Sequence, residues 1–355
     1  MTIDVATEAL LARKEGALGH ITLNRPKALN ALTLDMIRAI EAALTEWETD
    51  DDVRVILLDG AGERGFCAGG DIKAIYASAN GDASFARGYF REEYALDYRI
   101  SQYPKPVVAL MDGLVMGGGV GLTAHAAHRV ATDRLKLAMP EVSIGFTPDV
   151  GTTYLLADAP GEIGTHLALT GATIGAADAE LAEFADHVIA ADEIEDLVEG
   201  LRLGVVGAAI ISATVNEPEV VGVLDAQRVW IDACYRQDTV ENILAALDAR
   251  TEPAAHEAAA MMRTKSPTSL KVTLRALREA RELHDLAASF ALEFRMAWRF
   301  LENPDYAEGV RAAVIDKDRN PEWQPATLDA VTDEIVDAYF VTLGIGELDL
   351  DGATR

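Results

Sequence analysis

Twice in its first half the chain runs from a short apolar, β-branched segment into a glycine-rich turn and then into a helical pattern. Residues 53–58 lead into the turn at 65–70 and a short helix from Asp71 onward. Residues 107–111 lead into the turn at 117–121 and a helix opening near Leu122. Short apolar runs bounded by turn residues read as buried strands, and strands alternating with helices specify an α/β architecture. The flanking segments agree. Residues 10–13 and 18–24 are strand-like and joined by Glu15-Gly16 as a hairpin, and residues 129–132 and 135–138 read as later strands. Thr33 reads as the N-cap of a helix through Trp47, whose apolar positions Leu34, Ile37, Ile40 and Leu44 recur at three- and four-residue steps. Residues 84–102 form a longer helical pattern that Pro104 and Pro106 stop. From about Val205 the glycine-rich turns thin out and amphipathic helical patterns take over, at 240–247, 257–263, 270–283 and 287–301. The expected organisation is a core over residues 1–204 and a mainly helical region over residues 205–355.

Charge narrows the partners. With 31 Lys+Arg against 58 Asp+Glu, the formal net charge is −27. A duplex nucleic acid or an anionic membrane surface is not expected to attract such a chain. At 355 residues and 50% hydrophobic, the sequence can bury a large core, which excludes disorder over most of its length. Two cysteines, Cys67 and Cys234, build neither a disulfide framework nor a four-thiolate metal site. Residues 1–11 carry Asp4 and Glu8 without a basic region ahead of an apolar one, so a secretory signal is not expected. The expected compartment is the cytoplasm.

Several familiar signals fall away. Gly119-Val-Gly121-Leu-Thr-Ala124 matches the relaxed dinucleotide fingerprint, but only about two helical turns fit before the next strand, too few for that crossover. His125 and His128 stand three apart, on what reads as one helix, with no carboxylate at the right spacing; no metal site is expected. No Gly-x-Ser-x-Gly elbow occurs. Cys67 has nothing nearby in sequence to lower its pKa and reads as a small buried residue.

Three segments remain. They are Arg64-Gly-Phe-Cys-Ala-Gly-Gly-Asp-Ile-Lys73, Met111-Asp-Gly-Leu-Val-Met-Gly-Gly-Gly-Val-Gly121 and Met139-Pro-Glu-Val-Ser-Ile-Gly-Phe-Thr-Pro-Asp-Val-Gly151. The first two place glycines between a strand and a helix start, where backbone can approach a ligand and helix-start N–H groups are free to donate. They serve either as tight turns or, together, as a pair of donors to a developing oxyanion. The third offers Glu141 and Asp149 on irregular backbone. Alone, Glu141 reads as a surface charge and Asp149 as the N-cap of a helix through Leu156; as a pair they could divide base, nucleophile and acid roles.

Taken jointly, and with Asn24-Arg-Pro-Lys-Ala-Leu-Asn30, these segments resemble the crotonase (enoyl-CoA hydratase/isomerase) superfamily. Arg91-Glu-Glu-Tyr94, Met116-Gly-Gly-Gly-Val-Gly-Leu122, Pro148-Asp-Val-Gly151, Glu308-Gly-Val-Arg-Ala312, Ile315-Asp-Lys-Asp318 and Pro321-Glu-Trp323 point to its thioester-hydrolysing branch, which acts on 3-hydroxyisobutyryl-CoA in valine breakdown. The similarity runs from about Leu10 to Pro325. It implies a spiral core of ββα units that binds acyl-CoA. By position, the N–H groups of Gly70 and Gly118 would form the oxyanion hole, Glu141 would be the catalytic glutamate, Asp149 the aspartate typical of the hydrolases and Glu93 an acidic pocket residue. Arg91, Glu92, Asp97 and Arg99 nevertheless make the helix of Glu93 look like a solvated face. Arg25, Lys27 and Lys73 match the CoA-binding edge.

The resemblance also carries departures. Hydratases of the superfamily place a glutamate in a Gly-Gly-Gly-x-Glu turn, where this chain has Gly121, so hydration is not the expected activity. Thr147 and Thr152 replace residues usual in the hydrolase motif, and a changed pocket shape is expected there. Thioester hydrolysis is the leading expectation. An enoyl-CoA isomerase or hydratase-type activity using Glu141, or a non-catalytic acyl-CoA-binding protein, are the alternatives. No cofactor is implied beyond the CoA of the substrate. Relatives commonly form trimers or hexamers, whereas the helical region here could cover its own core, so a homo-oligomer stays open.

Overall fold

In the computed structural model, which describes residues 8–215 and 218–350, a six-stranded sheet forms the centre of one of two units into which the chain divides. Its spatial order is Leu10–Glu15, Leu18–Leu23, Val55–Gly60, Val107–Met111, His128–Thr132 and His187–Ile189. The first two strands are antiparallel, joined by the expected hairpin in which Glu15 pairs with Leu18. Every later pairing is parallel. Parallel neighbours require crossovers, and the helices Leu34–Glu48, Ser84–Gln102 and Gly118–Ala124 fall between successive strands of the sheet. The Thr33 hydroxyl accepts from the amide of Met36, so the first of these helices begins where its cap residue directs.

Val107–Met111 is buried at all five positions, as expected of a strand covered on both faces. Leu18, Val55, Leu57, Val108, Leu110, Val130 and Ile189 form the sheet's apolar cluster together with Leu197, Leu201, Ala209, Ile210 and Ala213. Each fully buried valine, leucine or isoleucine side chain there contributes about 1.5–3 kcal/mol. The last three of these residues lie on the helix Val206–Ala213. The expected boundary at 204/205 thus falls inside this unit, which comprises Met1–Asp71, Glu92–Leu137 and Ile174–Gly222.

The second unit comprises Ile72–Arg91, Ala138–Thr173 and Val223–Arg355 and is built of helices. The patterned segments of the C-terminal region appear as Val240–Asp248, Pro253–Arg263, Pro267–Leu283 and Leu286–Phe300. Their starts are chemically marked. Thr239, Ser266 and Asp285 accept amide N–H bonds as N-caps, and Pro253 and Pro267 occupy first-turn positions that have no hydrogen bond to lose. Arg278 and Arg281, on the helix Pro267–Leu283, both donate to the buried Glu162, which ties that helix to the start of Ile163–Thr170.

Two local expectations change. The glycines of the second turn do not precede a helix but make its first turns, since the helix is Gly118–Ala124. His125 ends that helix and His128 opens the next strand, so the two histidines do not share a helical face. Among the described residues no helix is long and apolar enough to cross a membrane.

Candidate active site

The first glycine turn is held open by strand-like pairing. Leu32 bridges to Gly70 by donating to the Gly69 carbonyl at 2.8 Å and accepting from the Asp71 amide at 2.8 Å. That pattern uses the groups flanking Gly70 and directs Gly70's own N–H to the other side of the segment. There Cys67 pairs with Val115, the Cys67 carbonyl accepting from the Met116 amide at 2.9 Å. This pairing lays the second glycine turn alongside the first. Gly118 is the first residue of its helix, a position whose N–H has no intrahelical acceptor. Among the described residues, neither the Gly70 nor the Gly118 amide donates to a backbone carbonyl. A Cβ placed on Gly118 would lie 3.4 Å from the Gly70 nitrogen. The same Cβ would lie 2.3 Å from Oε1 of Glu93, so only glycine leaves room for that carboxylate.

Glu93 is 2% exposed, and Asp97, one turn on, is fully buried. The solvated face expected of this helix is therefore its buried face. Ala86, Tyr89, Phe90, Glu93, Tyr94, Asp97 and Ile100 recur at three- and four-residue steps, and both carboxylates fall on that stripe. Arg91 and Arg99 instead engage carbonyls and carboxylates elsewhere, Arg91 at the Gly346 carbonyl and Arg99 at Glu48.

Cys67, beneath the first turn, is the small buried residue expected of it. Its thiol donates to the Asn30 carbonyl at 3.2 Å, and burial pushes its pKa up to about 12. Arg25 is half-buried, its guanidinium donating to the Ala31 carbonyl and, at 3.4 Å, to Asp71. Lys27 and Lys73 are exposed. Arg25 thus also organises the 24–31 loop, whereas the two lysines present their charge to solvent.

Glu141 and Asp149 belong to the helical unit. Glu141 opens the one-turn 3-10 helix Glu141–Ile144, and at 7% exposed it is not a surface charge. Its turn is braced by the Ser266 amide on the Val142 carbonyl at 3.3 Å and by the Lys265 ammonium on the Ser143 hydroxyl at 2.8 Å. Burial lowers the pKa of Lys265.

Asp149 is 5% exposed. It does not cap the helix after it, which is Thr152–Asp158 with Gly151 in the cap position. Between them the chain turns through two left-handed residues, Val150 at φ 55° and Gly151 at φ 77°. For a β-branched residue that conformation is strained, by about 1–3 kcal/mol. The cap is supplied from far along the chain. Glu293, fully buried on the helix Leu286–Phe300, accepts the Gly151 amide at 2.6 Å and the Thr153 amide at 2.8 Å. Burial pushes the pKa of Glu293 up to about 8, with the charge of Asp149 adding to the rise and the two amides opposing it.

Glu293 was not among the residues singled out from sequence, although a signal exists. Phe290, Glu293, Phe294, Ala297 and Phe300 make up the apolar stripe of a helix, and a carboxylate at a core position of such a stripe is costly unless it is bonded. Thr147 and Thr152 both commit their hydroxyls to neighbours. The Thr147 hydroxyl pairs with that of Thr273 at 2.8 Å, and the Thr152 hydroxyl donates to the Asp149 carbonyl at 2.7 Å.

The enoyl-CoA hydratase/isomerase family profile matches residues 18–340. The chain is 40% identical to the mitochondrial 3-hydroxyisobutyryl-CoA hydrolase of Rattus norvegicus, over 98% of this chain and 92% of that protein. A solved structure described as a carnitinyl-CoA dehydratase from Mycobacterium thermoresistibile is 48% identical, with a TM-score of 0.93 over 98% of this chain and all of that one. Another, described as an enoyl-CoA hydratase from Rhodobacter sphaeroides 2.4.1, is 40% identical with a TM-score of 0.89, covering 96% of this chain and 99% of that one.

Proposed function

The chain belongs to the enoyl-CoA hydratase/isomerase family, and on that premise we propose that it hydrolyses 3-hydroxyisobutyryl-CoA, a short β-hydroxyacyl thioester of valine breakdown, to 3-hydroxyisobutyrate and CoA. The observation that carries the reading is the amide pair. Hydrolysis passes through a tetrahedral intermediate with charge on the former carbonyl oxygen, and a preorganised donor to that oxygen is worth about 3–4 kcal/mol. In this reading the N–H groups of Gly70 and Gly118 hold the thioester oxygen. Glu141 supplies the attack, either as nucleophile through a mixed anhydride or as general base on water. Asp149 binds the β-hydroxyl or protonates the departing thiolate, and Glu93 holds the acyl end. Arg25, Lys27 and Lys73 form the CoA-binding edge. The reading requires no metal or redox group, since CoA arrives as part of the substrate.

A thiol-release assay over short acyl-CoA thioesters tests this, with and without a β-hydroxyl. Expected is turnover of the β-hydroxy compound that Glu141→Gln and Asp149→Asn both lower by about 10²-fold or more in folded protein, to a measurable residual rate; unchanged rates in both variants would sink the reading. A single turnover in ¹⁸O-water, read together with hydroxylamine trapping, separates the two routes. Unlabelled acid with ¹⁸O in the Glu141 carboxyl marks a mixed anhydride opened at its glutamyl carbonyl; labelled acid marks direct attack by water only where hydroxylamine traps no glutamyl–acyl intermediate.

A second reading, hydration or dehydration, has in its favour the descriptions of the two similar structures. Against it stands Gly121, where the superfamily's hydratases carry the first of their two glutamates. A change in enoyl absorbance without thiol release would select it.

For the compartment, the reading keeps the cytoplasm, although the rat relative is named mitochondrial; fractionation of the source cells decides. Size-exclusion chromatography with light scattering separates a monomer from a homo-oligomer.

A further inference from the structure

The turn that carries Asp149 is not explained by its own sequence. Val150 and Gly151 both adopt left-handed backbone, and a valine does not hold that conformation without outside support. Local bonds here include those of the Thr152 amide and hydroxyl on the Asp149 carbonyl and of the Thr153 hydroxyl on the Pro148 carbonyl. These close the start of the following helix but leave the Gly151 amide without a local acceptor. That acceptor is Glu293, which takes the Gly151 and Thr153 amides on its two carboxylate oxygens, 142 and 140 residues away in sequence. The side chain is fully buried, so no solvent competes for the bonds.

We propose that Glu293 is the positioning residue for Asp149: its carboxylate pins the Val150–Gly151 turn and thereby fixes the backbone from which the Asp149 carboxyl projects. The inference rests on the hydrolase reading, in which Asp149 acts on substrate. Glu293 itself touches neither substrate nor reacting atoms in this scheme. Its effect is on geometry, and a misplacement on the order of 1 Å in a reacting group costs roughly a hundredfold in rate.

The test is a cycle of Glu293→Gln, Asp149→Asn and the double variant, assayed for thiol release from 3-hydroxyisobutyryl-CoA, with circular dichroism and thermal unfolding on each. Glutamine keeps the shape but turns an NH₂ toward one of the two amides, so one bond becomes a donor–donor contact. Expected is a fall in kcat of about 10- to 100-fold for Glu293→Gln, with KM within about threefold of wild type. In the Asp149→Asn background the same change costs almost nothing more, because the group it positions is already disabled. Full kcat in folded Glu293→Gln protein overturns the proposal, as does a loss that multiplies undiminished with that of Asp149→Asn. If Glu293→Gln does not fold, Glu293→Asp is read by the same criteria. Failure of both to fold overturns the proposal in favour of a purely structural staple. Wild-type protein that releases no thiol from any β-hydroxyacyl-CoA overturns the hydrolase reading instead, and the inference with it.

Discussion

The amide pair at Gly70 and Gly118 is built from main chain, while Glu93, Glu141 and Asp149 are side chains whose behaviour is set by what surrounds them. In the first region, strand-like bridges from Leu32 to Gly70 and from Cys67 to Val115 and a helix start orient two N–H groups, and all of these residues except Leu32 lie within the motifs that mark them. In the second, Asp149 depends on Glu293, and the Glu141 turn on Lys265 and Ser266. The contrast teaches that backbone donors are oriented by main-chain pairing and the absence of a Cβ, whatever the neighbouring side chains. Charged side chains, buried as these are, need partners drawn from wherever the fold brings them.

The largest expected effect lies in the side-chain region. Glu141→Gln should lower kcat for thiol release by about 10³-fold or more with an unchanged circular dichroism spectrum, since both routes open to Glu141 need its carboxylate. Residual activity within tenfold of wild type would mean that the amide pair carries the reaction and that the contrast is drawn in the wrong place.

Next is Gly118→Ala, which attacks the backbone region where it closely approaches a carboxylate. The new Cβ meets Glu93 Oε1 at 2.3 Å, so the side chain or the turn must shift. A loss of about 10²-fold in kcat/KM follows if one donor is displaced. Adding Glu93→Ala makes room for the methyl. Recovery of thermal stability without recovery of rate would assign Glu93 its own part in the site, whereas recovery of both would make Glu93 only an obstacle.

A third prediction concerns pH. The carboxyl of Glu293 has an ordinary pKa of 4.5 and a folded-state value pushed up to about 8. Between these limits the folded state holds a proton that the unfolded state has released. The contribution is therefore fully present below pH 4.5 and is lost as pH rises through about 8. Chemical denaturation from pH 5 to 8 should show stability declining, with a flatter profile for Glu293→Gln. A profile identical in the two proteins would remove Glu293 from the account.

The smallest effect is electrostatic and long-range. A net charge of −27 repels a CoA ester, so KM should fall modestly, by about two- to threefold, as salt is added from low ionic strength. A KM that only rises from the lowest salt upward would show that Arg25, Lys27 and Lys73 already dominate the approach.

Much of this was legible in the chain. Alternation of strands, glycine turns and helices is local, and it delivered the sheet's hairpin, the Thr33 cap and the helix Ser84–Gln102 at its observed ends. The helices of the C-terminal region were legible too, because their apolar stripes repeat at helical period. The extent of the sheet-bearing unit was not, since the helix Val206–Ala213 looks like its helical successors in sequence and joins the sheet's core only through packing.

What the sequence by itself determined is the order of elements and the two glycine turns, at Gly70 and Gly118, where backbone has no side chain to keep a neighbour away. Spacing and the lack of a side chain suffice for that. Only the tertiary structure decided the state of the carboxylates. It buried Glu93 and Asp97 on a stripe that reads as charged, moved the cap of the helix after Asp149 from Asp149 to Glu293, and committed Thr147 and Thr152 to neighbours. The reason is physical. Burial and hydrogen-bond partners set what a carboxylate can do, and here the decisive partner lies 142 residues away.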